Sequence, residues 1–197
     1  MLRVCCGYRQ VKLYAQTSGA GPELVLVHGW GLHGGIWETL LPLLAPHFRV
    51  TVVDLPGHGY SVWQGQAGLP AFAEAVLASV PPRAAWLGWS LGGLVALQAA
   101  LVQPSRVGAL LLLASTPSFV RRDGWSPAML PALLDTFAGE LETDFERTLN
   151  RFLALQVHGS RSAGDVLRQL RAGMLRRGQP DPAALRAGLG ILRDTDL

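Results

Sequence analysis

The sequence has few of the features that are typical of secreted, disordered or membrane-spanning proteins. Cys5 and Cys6 are the only cysteines among 197 residues, and adjacent cysteines are a poor basis for a disulfide framework. Charged residues make up only 16% of the chain and hydrophobic residues 49%, which argues against disorder. The longest apolar run, residues 109–114, is too short to span a bilayer, and residues 1–9 contain no apolar signal core. We therefore expect a soluble, cytoplasmic, globular protein with no membrane partner.

Lysine is almost absent, since Lys12 is the only lysine among 17 basic residues. Seven arginines fall within residues 147–177, and Asp165 is the only acidic residue there. This local excess suits an acidic partner, although a solvated helix face explains it equally well. The sequence has no nucleic-acid recognition motif, metal-ligand cluster, phosphate loop or dinucleotide fingerprint, so we expect no nucleic acid, no metal and no cofactor.

Apolar runs alternate with helix-like stretches through the first 119 residues. After an early strand over residues 11–17, continuous apolar runs occupy residues 24–27, 50–53, 84–87 and 107–114. Runs without polar alternation are typical of strands buried on both faces of a sheet. Helix-like stretches separate them, at residues 37–44, 71–80 and 91–102. The pattern predicts an α/β fold with a mostly parallel sheet flanked by helices, and functional residues at the carboxyl ends of its strands.

The strand-like runs stop after residue 119. Four helical stretches follow, at residues 127–137, 143–155, 162–176 and 182–192. Thr143 and Glu146 fit a capping box with Thr143 as N-cap, and Asp181 followed by Pro182 fits another helix start. We predict that residues 1–119 form the N-terminal part of the core and that residues 120–197 form a helical lid.

The segment Gly88-Trp89-Ser90-Leu91-Gly92 lies between a predicted strand and a predicted helix. There G-x-S-x-G is typical of a nucleophile elbow, in which a strained turn presents the serine; the alternative is an ordinary glycine-rich turn. The N-terminus of the following helix favours an oxyanion on the reacting carbonyl. We predict Ser90 as the nucleophile of an acyl transfer, with the backbone N–H of Leu91 as one oxyanion donor.

The loop His28-Gly29-Trp30-Gly31 follows an earlier strand and supplies the second predicted oxyanion donor, the N–H of Trp30. The Trp30 indole either walls the substrate pocket or is a core aromatic. His28 precedes the nucleophile, so we expect it to order its loop rather than act as the base. Residues 54–61 are expected to form a structural turn in which His58 is not catalytic.

These segments resemble the α/β-hydrolase superfamily. Residues 86–96, together with Arg-Phe-Leu-Ala-Leu-Gln at 151–156, resemble more narrowly the esterases that hydrolyse pimeloyl-acyl-carrier-protein methyl ester in biotin biosynthesis. The resemblance implies that Ser90 attacks the methyl ester, that methanol leaves and that water releases the acid from the acyl-enzyme. It also implies that lid arginines, Arg147, Arg151 and Arg168, contact the acidic acyl carrier protein. We expect a monomer. The substrate channel would be lined by Trp30, Ser90, Leu91, Phe152, Leu153, Ala154, Leu155 and Gln156.

The resemblance does not extend to a complete catalytic triad. In this fold the order along the chain is serine, acid, histidine, but the only histidine after Ser90 is His158, which no strand-end loop presents. We therefore assign neither the triad acid nor the triad histidine. The C-terminal strands of the fold are expected to be absent from this chain, which would leave an exposed sheet edge. An incomplete esterase with little or no triad catalysis is the resulting expectation.

Two other functions stay open at this point. One is a generalist carboxylesterase or acyltransferase that uses the same elbow. The other is a non-catalytic hydrolase-fold module that binds acyl carrier protein, which the missing histidine favours. The Ser90 elbow and the loop containing Trp30 count against a pure binding module, because binding alone needs neither.

Overall fold

The structure is a computed structural model that describes residues 12–197, apart from the side chains of Met174 and Leu175. Cys5, Cys6 and the start of the first predicted strand lie outside the described residues. Within them one five-stranded sheet forms, with the order β1-β3-β2-β4-β5. β1 is antiparallel to β3, and the other neighbours are parallel, so the predicted mostly parallel sheet is confirmed. The strands are β1 Ala15–Ser18, β2 Glu23–Val27, β3 Arg49–Val53, β4 Ala84–Trp89 and β5 Val107–Leu113.

Helices flank this sheet and then continue beyond it. They are α1 Leu41–Leu44, α2 Gly68–Leu77, α3 Leu91–Val102, α4 Pro131–Thr143, α5 Phe145–Gln156, α6 Ala163–Arg176 and α7 Pro182–Asp194. The helix predicted over residues 37–44 is split, because a 3-10 helix at Gly34–Trp37 ends before α1 begins. Pro42 explains the break, since a proline has no N–H to donate to the carbonyl four residues earlier. In the part of the chain that the structure describes, no helix is both long and apolar enough to cross a membrane.

β5 is far less buried than its apolar sequence predicts. Leu111, Leu112 and Leu113 are 49%, 42% and 51% exposed. The expectation that every apolar run is buried on both faces is therefore wrong for β5. The physical reason is its position, because β5 is the outer strand of the described sheet and pairs only with β4 there. An exposed sheet edge of this kind agrees with the sequence-based expectation.

The helix caps after residue 119 agree with the sequence in one case and differ in another. Asp181 caps α7 as predicted, because its carboxylate accepts the N–H of Ala183 at 2.7 Å. Thr143 is not the cap of α5: it is the last residue of α4, and its hydroxyl donates to the Gly139 carbonyl. Asp144 accepts the Arg147 N–H instead, at 3.1 Å. The proposed division into core and lid at residue 119 stays a prediction.

α7 ties the C-terminal helices to the core. It packs against α2, α3 and α4, and its buried Leu185 and Leu189 belong to the same hydrophobic core as Trp30. At its start, the N–H of Asp181 donates to the carbonyl of Gly57 at 2.8 Å. The last helix is therefore part of what holds the loops at the carboxyl ends of β2 and β3.

Gly188 and Gly190 in α7 provide a test of that packing. A Cβ at residue 188 would lie 2.7 Å from Trp30 Cδ1 and 3.2 Å from Leu91 Cδ2, whereas one at residue 190 would meet nothing within 4 Å. We expect Gly188→Ala to lower the free energy of unfolding by about 1–3 kcal/mol through overpacking. Gly190→Ala should leave it unchanged or raise it by up to about 1 kcal/mol, because alanine favours the helix. Urea unfolding measures both, and equal effects would contradict the packing described.

Candidate active site

Ser90 lies on a strained turn between β4 and α3. Its φ of 53° and ψ of −118° fall in a region that residues with a side chain rarely adopt. The Ser90 N–H donates to the carbonyl of Leu113 at 2.9 Å, and the Ser115 hydroxyl donates to the carbonyl of Ser90 at 2.8 Å. The end of β5 thus contacts both backbone polar groups of the strained residue.

Glycines stand on both sides of Ser90 because the backbone of α3 approaches β2 and β4 closely. A Cβ at Gly88 would overlap the backbone of Gly92, and a Cβ at Gly92 would overlap the carbonyl oxygens of Val27 and His28. Neither glycine has a positive φ. The requirement for glycine at these positions is therefore space, not backbone conformation.

Of the two predicted oxyanion donors, Leu91 directly follows Ser90, and the loop that contains Trp30 runs beside it. Leu91 is the first residue of α3, and the first N–H groups of a helix have no acceptor within it. The loop after β2 runs beside the serine, since a Cβ at Gly29 would lie 3.3 Å from Ser90 Cβ. The structure thus brings Ser90, Leu91 and the residue before Trp30 together. Their action as an oxyanion hole stays a prediction.

The Trp30 indole belongs to the core beneath α4, α5 and α7. It is 1% exposed, and its Nε1–H donates to the carbonyl of Leu185 at 2.9 Å. Phe137 and Phe152 meet the indole edge-on, with ring centroids at 5.3 and 5.0 Å. Of the two interpretations of Trp30, this packing favours the core aromatic. The loop that carries one predicted oxyanion donor is therefore anchored to three later helices.

The five α5 residues predicted to line the substrate channel do not share one environment. Phe152 packs against Trp30, whereas Leu153 is 1% exposed and belongs to the core. Ala154 is half-buried, and Leu155 and Gln156 are exposed. Only part of the predicted lining therefore lies against the loop of Trp30, and substrate contact by these residues stays a prediction.

Comparison with known proteins places this arrangement in a family. The sequence matches the family described as "alpha/beta hydrolase fold" over residues 22–189. The chain belongs to the α/β-hydrolase family. It is similar to the proteins named pimeloyl-[acyl-carrier protein] methyl ester esterase from Pectobacterium carotovorum subsp. carotovorum (strain PC1), at 50% identity, and Serratia marcescens, at 51%. Each match covers 94% of this chain and 72% of the relative, and the resemblance stated from the sequence is confirmed.

Solved structures agree on the fold of this α/β hydrolase. An esterase from Exiguobacterium antarcticum superposes with a TM-score of 0.78 at 22% identity, covering 94% of this chain and 70% of that one. A hydrolase from Pseudomonas aeruginosa PA01 superposes with a TM-score of 0.72 at 28% identity, covering 93% and 69%. The likeness to the Exiguobacterium esterase concerns the fold alone.

His28 of the hydrolase orders its loop, as expected. Its Nδ1–H donates to the carbonyl of Gly29 at 2.8 Å, and its Nε2 accepts the N–H of Leu55 at 2.9 Å. Complete burial, with the neighbouring His58 ring, lowers the pKa of His28 well below its ordinary value. A neutral ring with both nitrogens engaged joins the loops after β2 and β3 and is not a candidate base.

His58 and His33 are also engaged away from Ser90. His58 donates from Nδ1 to the carbonyl of Pro56, and burial lowers its pKa to about 4. His33 donates from Nε2 to the carbonyl of Gly173, and burial lowers its pKa as well. Over residues 12–197 no histidine is hydrogen-bonded to Ser90, so the triad base stays unassigned. The described side chains also form no group of three or more metal-ligating residues.

The three arginines predicted to contact the carrier are partly paired within the hydrolase itself. Arg147 and Arg151 line a groove of about 530 Å³ between α4 and α5, on one face of α5. Arg151 is held there by two contacts to the Glu140 carboxylate, and Arg168 contacts Asp165 at 3.0 Å. Their interaction with a carrier protein stays a prediction. The positive charge seen in the sequence is therefore reduced by neighbouring carboxylates.

We expect the hydrolase to lose stability as pH falls from about 6.5 to about 4. His58 has a folded-state pKa of about 4 against an ordinary 6.5, so the unfolded chain takes up the proton first. Its stabilising contribution is complete above pH 6.5, and about 3 kcal/mol is lost on passing through the window. His58→Gln should flatten this part of the fall, because glutamine does not titrate.

Urea unfolding at about pH 7.5 and about pH 4.5 measures the fall. The matched control is His158→Gln, whose parent side chain is exposed and which should show the same fall as the unaltered chain. A fall in His58→Gln as large as in the unaltered chain would show that His58 does not carry this pH dependence.

Proposed function

We propose that this chain supplies the nucleophile, the oxyanion hole and the carrier-binding lid of a serine carboxylesterase that hydrolyses pimeloyl-acyl-carrier-protein methyl ester. The observation that carries the proposal is the strained Ser90 at the start of α3, with the loop of Trp30 beside it. The relatives at 50% and 51% identity, whose names state this reaction, support it. The reaction belongs to biotin biosynthesis, and we place the protein in the cytoplasm as a monomer.

The chemistry follows from the elbow. Ser90 Oγ attacks the ester carbonyl as its proton passes to a base, and the resulting oxyanion accepts hydrogen bonds from the N–H groups of Leu91 and Trp30. The tetrahedral intermediate expels methanol and leaves an acyl-enzyme, from which water releases the free carboxylate. A triad acid and histidine are not assigned among these residues. We therefore expect slow turnover by the 197-residue chain unless a base is supplied.

The lid supplies substrate contacts in this proposal. The acyl chain runs along α5, where Phe152 packs against the loop of Trp30, and lining by Leu153, Ala154, Leu155 and Gln156 stays a prediction. Arg147, Arg151 and Arg168 face the acidic carrier and steer the encounter. Arg168 is available because its pair with Asp165 is 79% and 70% exposed at the side chains, and such pairs are weak. Arg151 has to exchange Glu140 for a carboxylate of the carrier.

Binding of the carrier-borne ester tests the lid half of the proposal. We expect Arg147→Ala together with Arg151→Ala to raise the Kd for pimeloyl-acyl-carrier-protein methyl ester about tenfold, and high salt to do the same. Glu140→Gln should lower the Kd, because it frees Arg151. Arg161→Ala is the control, since Arg161 is exposed and lies outside the α4–α5 groove. An unchanged Kd in the double variant would refute carrier docking at this groove.

Chemical rescue of ester cleavage tests whether Ser90 is the nucleophile. Added imidazole supplies the missing base, so it should accelerate ester cleavage by the unaltered chain more than by Ser90→Ala. Binding without any Ser90-dependent cleavage would favour the non-catalytic carrier-binding module. Equal rescued rates on the carrier-borne ester and on short free esters would favour the generalist esterase.

A further inference from the structure

Arg177, the first residue after α6, is buried although it lies within the arginine-rich stretch. Its side chain is 10% exposed, and its Nη1 lies 3.3 Å from both carboxylate oxygens of Asp54, which is fully buried. The guanidinium also lies over the rings of Tyr14 and Tyr60, at 5.6 and 5.3 Å from their centroids. A buried ion pair beside two aromatic rings therefore links the end of α6 to the end of β3.

The site for this guanidinium is built by the loops after β2 and β3. Asp54 accepts the N–H of Gly34 at 2.6 Å through one oxygen and the N–H of Tyr60 at 3.0 Å through the other. A Cβ at Gly34 would lie 3.4 Å from Arg177 Nη1, and a Cβ at Gly59 would lie 2.7 Å from Asp54 Cγ. These two glycines keep the space open, and the backbone donors hold the carboxylate in place to receive the cation.

α6 faces a cavity along one side and is held at its end by polar contacts. The cavity has a volume of about 250 Å³, is shared with Leu32 and Ile36, and extends as far as Gly173 and Arg176. His33 Nε2 donates to the carbonyl of Gly173 at 2.9 Å, whereas the pair of Arg176 with Glu38 at 3.1 Å is exposed and therefore weak. The hydrogen bond from His33 and the buried pair of Arg177 therefore hold the end of α6.

We propose that Arg177 is a latch: its ion pair with Asp54 locks the end of α6 to the core and so sets the position of α7. Only four residues separate Arg177 from Pro182, the first residue of α7. The carbonyl of Leu185, also in α7, accepts the N–H of the Trp30 indole. Releasing Arg177 frees α6 and the α6–α7 connection while the sheet stays folded. The proposal concerns the attachment of the lid and does not depend on the esterase activity.

Removing one partner of a buried pair leaves the other charge without its counterion, so the local structure opens more readily. We expect Arg177→Met to speed amide hydrogen exchange about tenfold or more across residues 163–181, with exchange in β2, β3 and β4 unchanged. Arg177→Lys keeps the charge but loses the planar fork, so its exchange should be intermediate. The matched control is Arg176→Met, because Arg176 is adjacent but 62% exposed, and its exchange should stay within about twofold of the unaltered chain.

Exchange measured by mass spectrometry on the purified chain separates the outcomes. The latch is supported if amide exchange accelerates locally in Arg177→Met, accelerates less in Arg177→Lys and does not accelerate in Arg176→Met. Identical exchange in Arg177→Met and Arg176→Met would overturn it. Acceleration spread evenly over the sheet would also overturn it, because that result describes general destabilisation rather than a released lid. Should Arg177→Met not fold, the comparison of Arg177→Lys with Arg176→Met decides by the same criteria.

Discussion

The close approach of α3 to the end of β2 is the constraint on which the rest of the structure depends. Because a Cβ at Gly92 would overlap the carbonyls of Val27 and His28, the helix start lies directly against the strand end. Ser90 has to turn through a positive φ to join β4 to this helix, at a cost of about 1–3 kcal/mol. The hydrogen bonds from Ser90 to Leu113 and from Ser115 to Ser90 help to hold the turn.

The same contact determines what surrounds the serine. With α3 against β2, the loop of His28 and Trp30 has to run beside Ser90, and the buried His28 ring fixes that loop to Leu55 after β3. Trp30 connects this loop to the C-terminal helices, because its indole packs against α4 and α5 and its Nε1–H donates to a carbonyl of α7. The C-terminal helices are thus joined to the core by apolar packing at Trp30 and by the ion pair of Arg177 with Asp54. The two attachments are chemically different, so they can be disrupted separately.

The sequence predicts well the features that depend on neighbouring residues. The elbow is predicted because G-x-S-x-G, the strand before it and the helix after it are all local, and α3 spans the residues expected. Burial of β5 is wrongly predicted because it depends on what lies beside the strand, not on its own apolar residues. The prediction that Thr143 caps α5 fails for a related reason. α4 continues to residue 143, and Leu141 near its end packs into the core.

The features that the sequence does not reveal depend on distant partners. Arg177 looks like one of several surface arginines, and no local signal indicates that Asp54, 123 residues earlier, receives it. Likewise, the pattern around Trp30 allows either a pocket wall or a core aromatic, because Leu185 lies 155 residues away. The sequence predicts a structural turn at residues 54–61, but it does not show that this turn receives an arginine from the end of α6.

Unfolding of Gly92→Ala measured against Gly139→Ala tests the central claim most directly. Both glycines are helical without a positive φ, but a Cβ at residue 139 would meet nothing within 4 Å. The close approach predicts that Gly92→Ala lowers the free energy of unfolding by about 3 kcal/mol or more, while Gly139→Ala leaves it within about 1 kcal/mol. A Gly92→Ala variant as stable as Gly139→Ala would contradict the claim that contact between α3 and β2 organises the site.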